Sequence, residues 1–179
     1  MKGNLTRAGV AFALAAGSML LGFATPAGAA TANSCKTLSG TAVFSPGLTT
    51  TAHNQKITAK GSLAGCTPST QTGGAGTLTS TITSANGSCQ SLLKGGVVSK
   101  GTAKVTWKNK KTSSVSMTLK TGTGSNYNVA TVTGTVTAGL FKGHAIGGAL
   151  KFTPKSGQNC TSVPIKNVTF KGTKPFVMK

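Results

Sequence analysis

The chain has 179 residues, with 19 Lys plus Arg, two His and neither Asp nor Glu, for a formal net charge of +19. Without a side-chain carboxylate it has no means to build a two-carboxylate glycosidase, an aspartic protease, a two-metal nuclease, a Ca²⁺ loop or a Ser-His-Asp triad. Its length suits one ordinary domain, or one domain behind a processing segment.

The N-terminus reads as such a segment. Lys2 and Arg7 form a short positive region, and Ala8 to Phe23 is apolar and uncharged. Pro26 ends the run, and Ala27-Gly28-Ala29 offers small residues for a signal-peptidase cut, with Ala30-Thr31-Ala32 as the alternative. The apolar stretch of about 16 residues is shorter than the roughly 20 a spanning helix needs. Cys35 lies too far beyond it for a lipoprotein. Residues 1–29 are expected to be a cleavable secretory signal, and 30–179 a single secreted domain that is not transmembrane after processing. A cut after Ala29 leaves 150 residues and +17, all of it Lys. Cys35, Cys66, Cys89 and Cys160 all fall in that domain, and an even number in an exported chain reads as two disulfides. Zinc is disfavoured, because no pair has the short C-x₂₋₄-C spacing.

Residues 30–179 include 28 Thr and 20 Gly but no Glu or Arg and only four Gln, so most strong helix formers are missing. Alternation of period two marks 37–44, 55–65, 76–85, 101–109, 113–120, 126–137, 144–153, 162–171 and 174–178 as strands. Leu78 and Ile82 sit on one side of a Thr ladder, and Ala103, Val105 and Trp107 oppose Thr102, Lys104, Thr106 and Lys108. Strands at roughly ten-residue spacing, separated by Gly or Pro, predict an all-β antiparallel β-sandwich, Ig-like or similar, with a partly closed barrel as second choice.

Two hairpins can be registered from the sequence. Pairing the first two strands so that Leu38 faces Leu63, Gly40 faces Gly61, Ala42 faces Ala59 and Phe44 faces Ile57 makes one face wholly apolar or Gly. The same register sets Cys35 opposite Cys66 on the other face, within reach of a bond. That predicts Cys35–Cys66 and leaves Cys89–Cys160 as the long-range staple. Pro46-Gly47 suits a type II turn within an open loop. In the second hairpin, Trp107 with Val115, Val105 with Met117 and Ala103 with Leu119 leave Lys110-Lys111-Thr112 as the loop. Trp107 is then expected to be a core residue rather than a stacking platform.

Catalysis would fall to His53, His144, the Ser and Thr hydroxyls, Tyr127 or Lys. No G-x-S-x-G elbow is present, and neither Ser99-Lys100 nor Ser114 to Lys120 has S-x-x-K spacing. His53 reads as an exposed loop residue and His144 as a strand-end residue. Two His without a third donor make a poor metal site. No catalytic residue, metal or cofactor is therefore expected.

The Lys excess either keeps the surface soluble or attracts a polyanion: anionic envelope polymers, other extracellular polymers or lipid head groups. Charges beyond about 8 Å are screened at physiological salt, so clusters matter more than the total. Lys108, Lys110 and Lys111 at the predicted hairpin tip, with Lys104 on the same face, form the candidate anion contact. Sequence-specific nucleic-acid binding is not expected, since the domain has no Arg to read guanine and few aromatics to stack on bases. A non-enzymatic, Lys-rich binding or surface-interaction module is the leading expectation. The alternatives are a structural extracellular protein and a small-molecule carrier with a pocket between sheets, lined by Tyr127 or Trp107.

The missing carboxylates also bear on stability. Acid unfolding mostly protonates carboxylates that are paired in the native state, so this fold should survive about pH 2–3. Circular dichroism at that pH checks it. Loss of most of the signal with the disulfides intact counts against the sandwich.

Cys35, Ala42-Val43-Phe44-Ser45-Pro46-Gly47-Leu48, Gly61-Ser62-Leu63-Ala64-Gly65-Cys66, Cys89, Gly101 with Trp107, and Gly134-Thr135-Val136-Thr137-Ala138-Gly139-Leu140-Phe141-Lys142-Gly143 together form a pattern. It resembles small secreted β-sandwich proteins of actinobacteria. The resemblance spans most of the domain but rests on Gly, Cys and core positions, so it implies a fold and supplies no catalytic residue. The antitumour-chromoprotein carriers of the same bacteria hold an apolar ligand in a cleft, but the Cys spacing here departs from theirs.

Overall fold

Thr, Ser or Lys at every second position leaves each strand with one wet and one dry side. Eight such strands hide their dry sides by closing on themselves. The computed structural model describes residues 32–179, and the expected signal segment lies outside the described residues. The strands are β1 (Asn33–Leu48), β2 (His53–Thr67), β3 (Ala75–Gly87), β4 (Val98–Trp107), β5 (Thr112–Thr121), β6 (Val129–Gly139), β7 (Ala145–Pro154) and β8 (Ile165–Met178). Each pairs antiparallel with the next, and β1 also pairs with β8, giving a closed up-and-down barrel.

The fold is all-β and antiparallel, but the sandwich is corrected to a barrel. Alternation looks the same in both architectures, because each needs one buried face per strand. What closes the ring is curvature, helped by inward-facing Gly. Gly40 pairs with Gly61, and a Cβ on Gly61 would lie 3.0 Å from the Phe170 ring that fills the space they leave.

The first register is observed as expected, from Leu38↔Leu63 to Phe44↔Ile57. Both predicted disulfides are present, Cys35–Cys66 and Cys89–Cys160. The expected face of the first is wrong. Lys36 and Thr37 on β1, and Ala64 and Gly65 on β2, are consecutive exposed residues, so both strands step by one. Gly65 makes the step possible on β2 with φ +62°, and the Cys pair turns into the core. Pro46 and Gly47 also depart from expectation. They lie inside β1, which runs past its β2 partners to pair Leu48 with Ile165.

The second hairpin closes four register units tighter than predicted, with Ala103 opposite Val115 and Val105 opposite Ser113. A shift of four keeps the same residues inside, so hydrophobic alternation cannot distinguish the two. The turn decides. Lys110 takes φ +68°, its N–H donates to the Trp107 carbonyl, and the Lys111 N–H bonds Asn109 Oδ1. The two expected C-terminal runs fuse into β8, which accommodates Gly172-Thr173 with shifts in its register to β7.

One end of the barrel is plugged. Trp107 stacks edge-on against Phe141 with ring centroids 5.8 Å apart. Its Nε1–H donates to Ser113 Oγ at 2.9 Å, and that hydroxyl donates to the Leu140 carbonyl at 2.6 Å. Trp107 is the core residue the sequence predicted. The chain ends and the β2–β3, β4–β5 and β6–β7 connections meet at this closed end, with α1 (Ser69–Thr72) in the first of them. The other four connections ring the opposite end, the mouth. They include α2 (Cys89–Lys94) and a single 3₁₀ turn, Gly124–Asn126.

Outside, the register lines up hydroxyls in rows, such as Thr58, Thr81, Thr102, Ser116 and Thr135 across β2 to β6. Every Lys of the described residues is exposed. A wall of Thr and Lys outside and Leu, Val and Phe inside is the reverse of a membrane-spanning barrel, whose outer band is apolar. Among the described residues no helix is long and apolar enough to cross a membrane. Two disulfides are consistent with an oxidising compartment.

Candidate functional site

Eight strands enclose just enough space for side chains or one small ligand. Here the filling is incomplete. A void of about 70 Å³ lies within the barrel, lined by residues including Leu38, Ala59, Met117 and Phe170. A second, about 120 Å³, reaches toward the mouth, where Leu92, Tyr127, Pro154 and Ile165 line it. The two share Phe44, Ile57, Leu119 and Phe152. Each is partly open. For scale, a cavity of about 150 Å³ lined by apolar side chains stays dry and accepts benzene.

The lining surface is mainly apolar, with Ser80 in the inner void and Gln55, Ser84, Ser99, Thr121, Tyr127 and Asn128 as the polar members of the outer one. Gln55 and Ser84 face each other across β2 and β3 at inward-pointing positions, 2% and 5% exposed. Gln55 Nε2 donates to the Gly87 carbonyl at 3.5 Å. Gln55 Oε1 and Ser84 Oγ have no hydrogen-bond partner among the described residues. Leaving a buried polar atom unpaired costs about 1–3 kcal/mol, and most such atoms in folded proteins are paired. Together they offer one acceptor and one hydroxyl on neighbouring strands in the wall of the outer void. Both atoms are almost wholly covered, so a ligand hydroxyl reaches them only when the two side chains turn toward the void, where it would donate to Gln55 Oε1 and accept from Ser84 Oγ–H.

Neither residue stood out in the sequence, although the signal was there. The alternation that turns Ile57 and Ala59 inward also turns Gln55 inward, and the one that buries Leu78 and Ile82 buries Ser84. A polar residue in an apolar register is the mark.

The residues singled out from the sequence are scattered. Lys108, Lys110 and Lys111 do share the β4–β5 turn, but at the closed end, and Lys104 sits farther along the wall of β4. Lys142 and Lys179 join that end through the β6–β7 turn and the C-terminus, a grouping the sequence did not reveal. His53 begins β2 at the mouth and is exposed. His144 precedes β7 at the closed end, where it packs against Phe141. The two imidazoles therefore lie at opposite ends and share no site. Tyr127 reaches the void and Trp107 does not. One S-x-x-K spacing does occur, Ser91 to Lys94, and it falls in α2. Its hydroxyl is committed to a capping box, donating to the Ser88 carbonyl and accepting from the Ser88 N–H, both at 2.8 Å.

Compared with protein-family models, curated proteins and solved structures, the chain matches none of them.

Proposed function

We propose that this is an exported, non-enzymatic binding protein that carries a small apolar ligand with a hydroxyl group inside its barrel. The observation behind this reading is the unpartnered Gln55–Ser84 pair in the wall of an apolar void. An apolar body gains by leaving water, at about 25 cal/mol per Å² buried. The hydroxyl supplies orientation by hydrogen-bonding Gln55 and Ser84. The 17 Lys of the described residues are spread over both ends and the wall, so their number alone does not pick out a ligand. The interior therefore carries the proposal.

The test compares two probes of one shape, p-cresol and toluene, by calorimetric titration of the refolded domain. The phenol should bind about 30-fold tighter, since two hydrogen bonds at about 1 kcal/mol net each give about 2 kcal/mol and 1.4 kcal/mol is a factor of ten. The Gln55→Leu/Ser84→Ala variant should lose that preference. It should also unfold at a higher denaturant concentration, because it no longer buries two unpaired atoms. Equal affinity for the two probes, or binding of neither, overturns the reading.

A further inference from the structure

The large apolar side chains left on the surface are not scattered. Leu93 on α2, Val98 at the start of β4, Tyr127 after the 3₁₀ turn and Val163 in the β7–β8 connection are between 40 and 55% exposed, and all four lie at the mouth. Only Val43, on β1, stands apart among the described residues. They come from three different connections, so no one segment's composition explains the grouping. Lys stands beside them. Lys94, Lys120, Lys155 and Lys166 are each exposed at that end, and each is within two residues in sequence of a side chain lining the outer void.

We propose that the mouth of the barrel docks on an anionic lipid bilayer. Apolar side chains flanked by Lys are the usual composition of interfacial membrane contacts, the former entering the head-group boundary and the latter meeting lipid phosphates. With no Asp or Glu anywhere in the chain, no side-chain charge repels such a surface. The contact needs no amphipathic helix, because four connections at one barrel end form the ring. Docked this way, the outer void faces the membrane, the natural source and sink of an apolar ligand. The docking goes beyond the carrier reading and does not depend on it.

The experiment is sedimentation of the unliganded domain with vesicles of phosphatidylcholine alone or with 30% phosphatidylglycerol. Two variants of equal net charge separate docking from general attraction. One carries Lys→Gln at 94, 120, 155 and 166, the other at 108, 110, 111 and 142. The mouth variant should lose at least about ten-fold in partition to anionic vesicles, and the closed-end variant less than about three-fold. Leu93→Ser/Val163→Ser should weaken binding at unchanged charge. Equal loss in the two Lys variants would mean diffuse attraction and overturn the proposal, as would no binding at all. A Tyr127→Trp variant adds a direct readout: its emission should shift to the blue with anionic vesicles, and an unchanged spectrum counts against docking. Ligand titration without vesicles and vesicle binding without ligand can each fail alone.

Discussion

Leu119→Trp should reduce the affinity for p-cresol at least about 100-fold while the barrel remains folded. Leu119 lines both voids and is only half-buried, so the larger side chain has space to enter. An indole there occupies the region where the two voids meet. Overpacking a filled core costs about 1–3 kcal/mol, and occupying existing empty space should cost less. Retained circular dichroism with lost titration heat is the expected pair of results. Undiminished binding would place the ligand elsewhere, and the interior would no longer be the site.

The second large effect concerns the mouth. Cys89 lies on the β3–β4 connection and Cys160 on the β7–β8 connection, which are diametrically opposite in a ring of eight strands. Their bond closes 71 residues of sequence, and the chain-entropy relation assigns such a loop about 4 kcal/mol. For a domain whose total stability is about 5–15 kcal/mol, that is a large share. Cys89→Ala/Cys160→Ala should therefore shift the urea midpoint strongly downward. In the native state, amide exchange should also accelerate first in α2 and the β7–β8 connection, which the bond ties together. A loss below about 1 kcal/mol would show that the sheet alone sets the geometry of the mouth.

The first hairpin and the Cys35–Cys66 bond were legible in the sequence from matching residues across two neighbouring strands, Cys89–Cys160 followed by elimination, and the burial of Trp107 followed from alternation along one strand. Three features were not, for separate reasons. Ring closure depends on β1 meeting β8, a contact between the two ends of the domain that no local pattern encodes. The second hairpin slipped by four because alternation repeats every two residues, and only the positive φ at Lys110 and the Asn109 side chain fix the turn. The Cys35–Cys66 bond changed faces because two strands stepped together, which leaves their mutual register intact and so invisible from pairing alone. The candidate site was half legible. Gln55 and Ser84 break the apolar register, but the void beside them results from how eight inner faces fail to fill one space.

The Ala32 N–H donates to the Met178 carbonyl at 2.8 Å, and Ala145 and Lys179 exchange two backbone hydrogen bonds of 2.8 Å. The described chain thus begins and ends side by side beneath the plug. Seen as a circuit, the barrel has no privileged seam. A short linker from Lys179 to Ala32, with new ends cut into the Lys108–Lys110 turn, would preserve every strand neighbour. Anything tethered at either existing end would hang from the base, on the side away from the mouth and its disulfide strap.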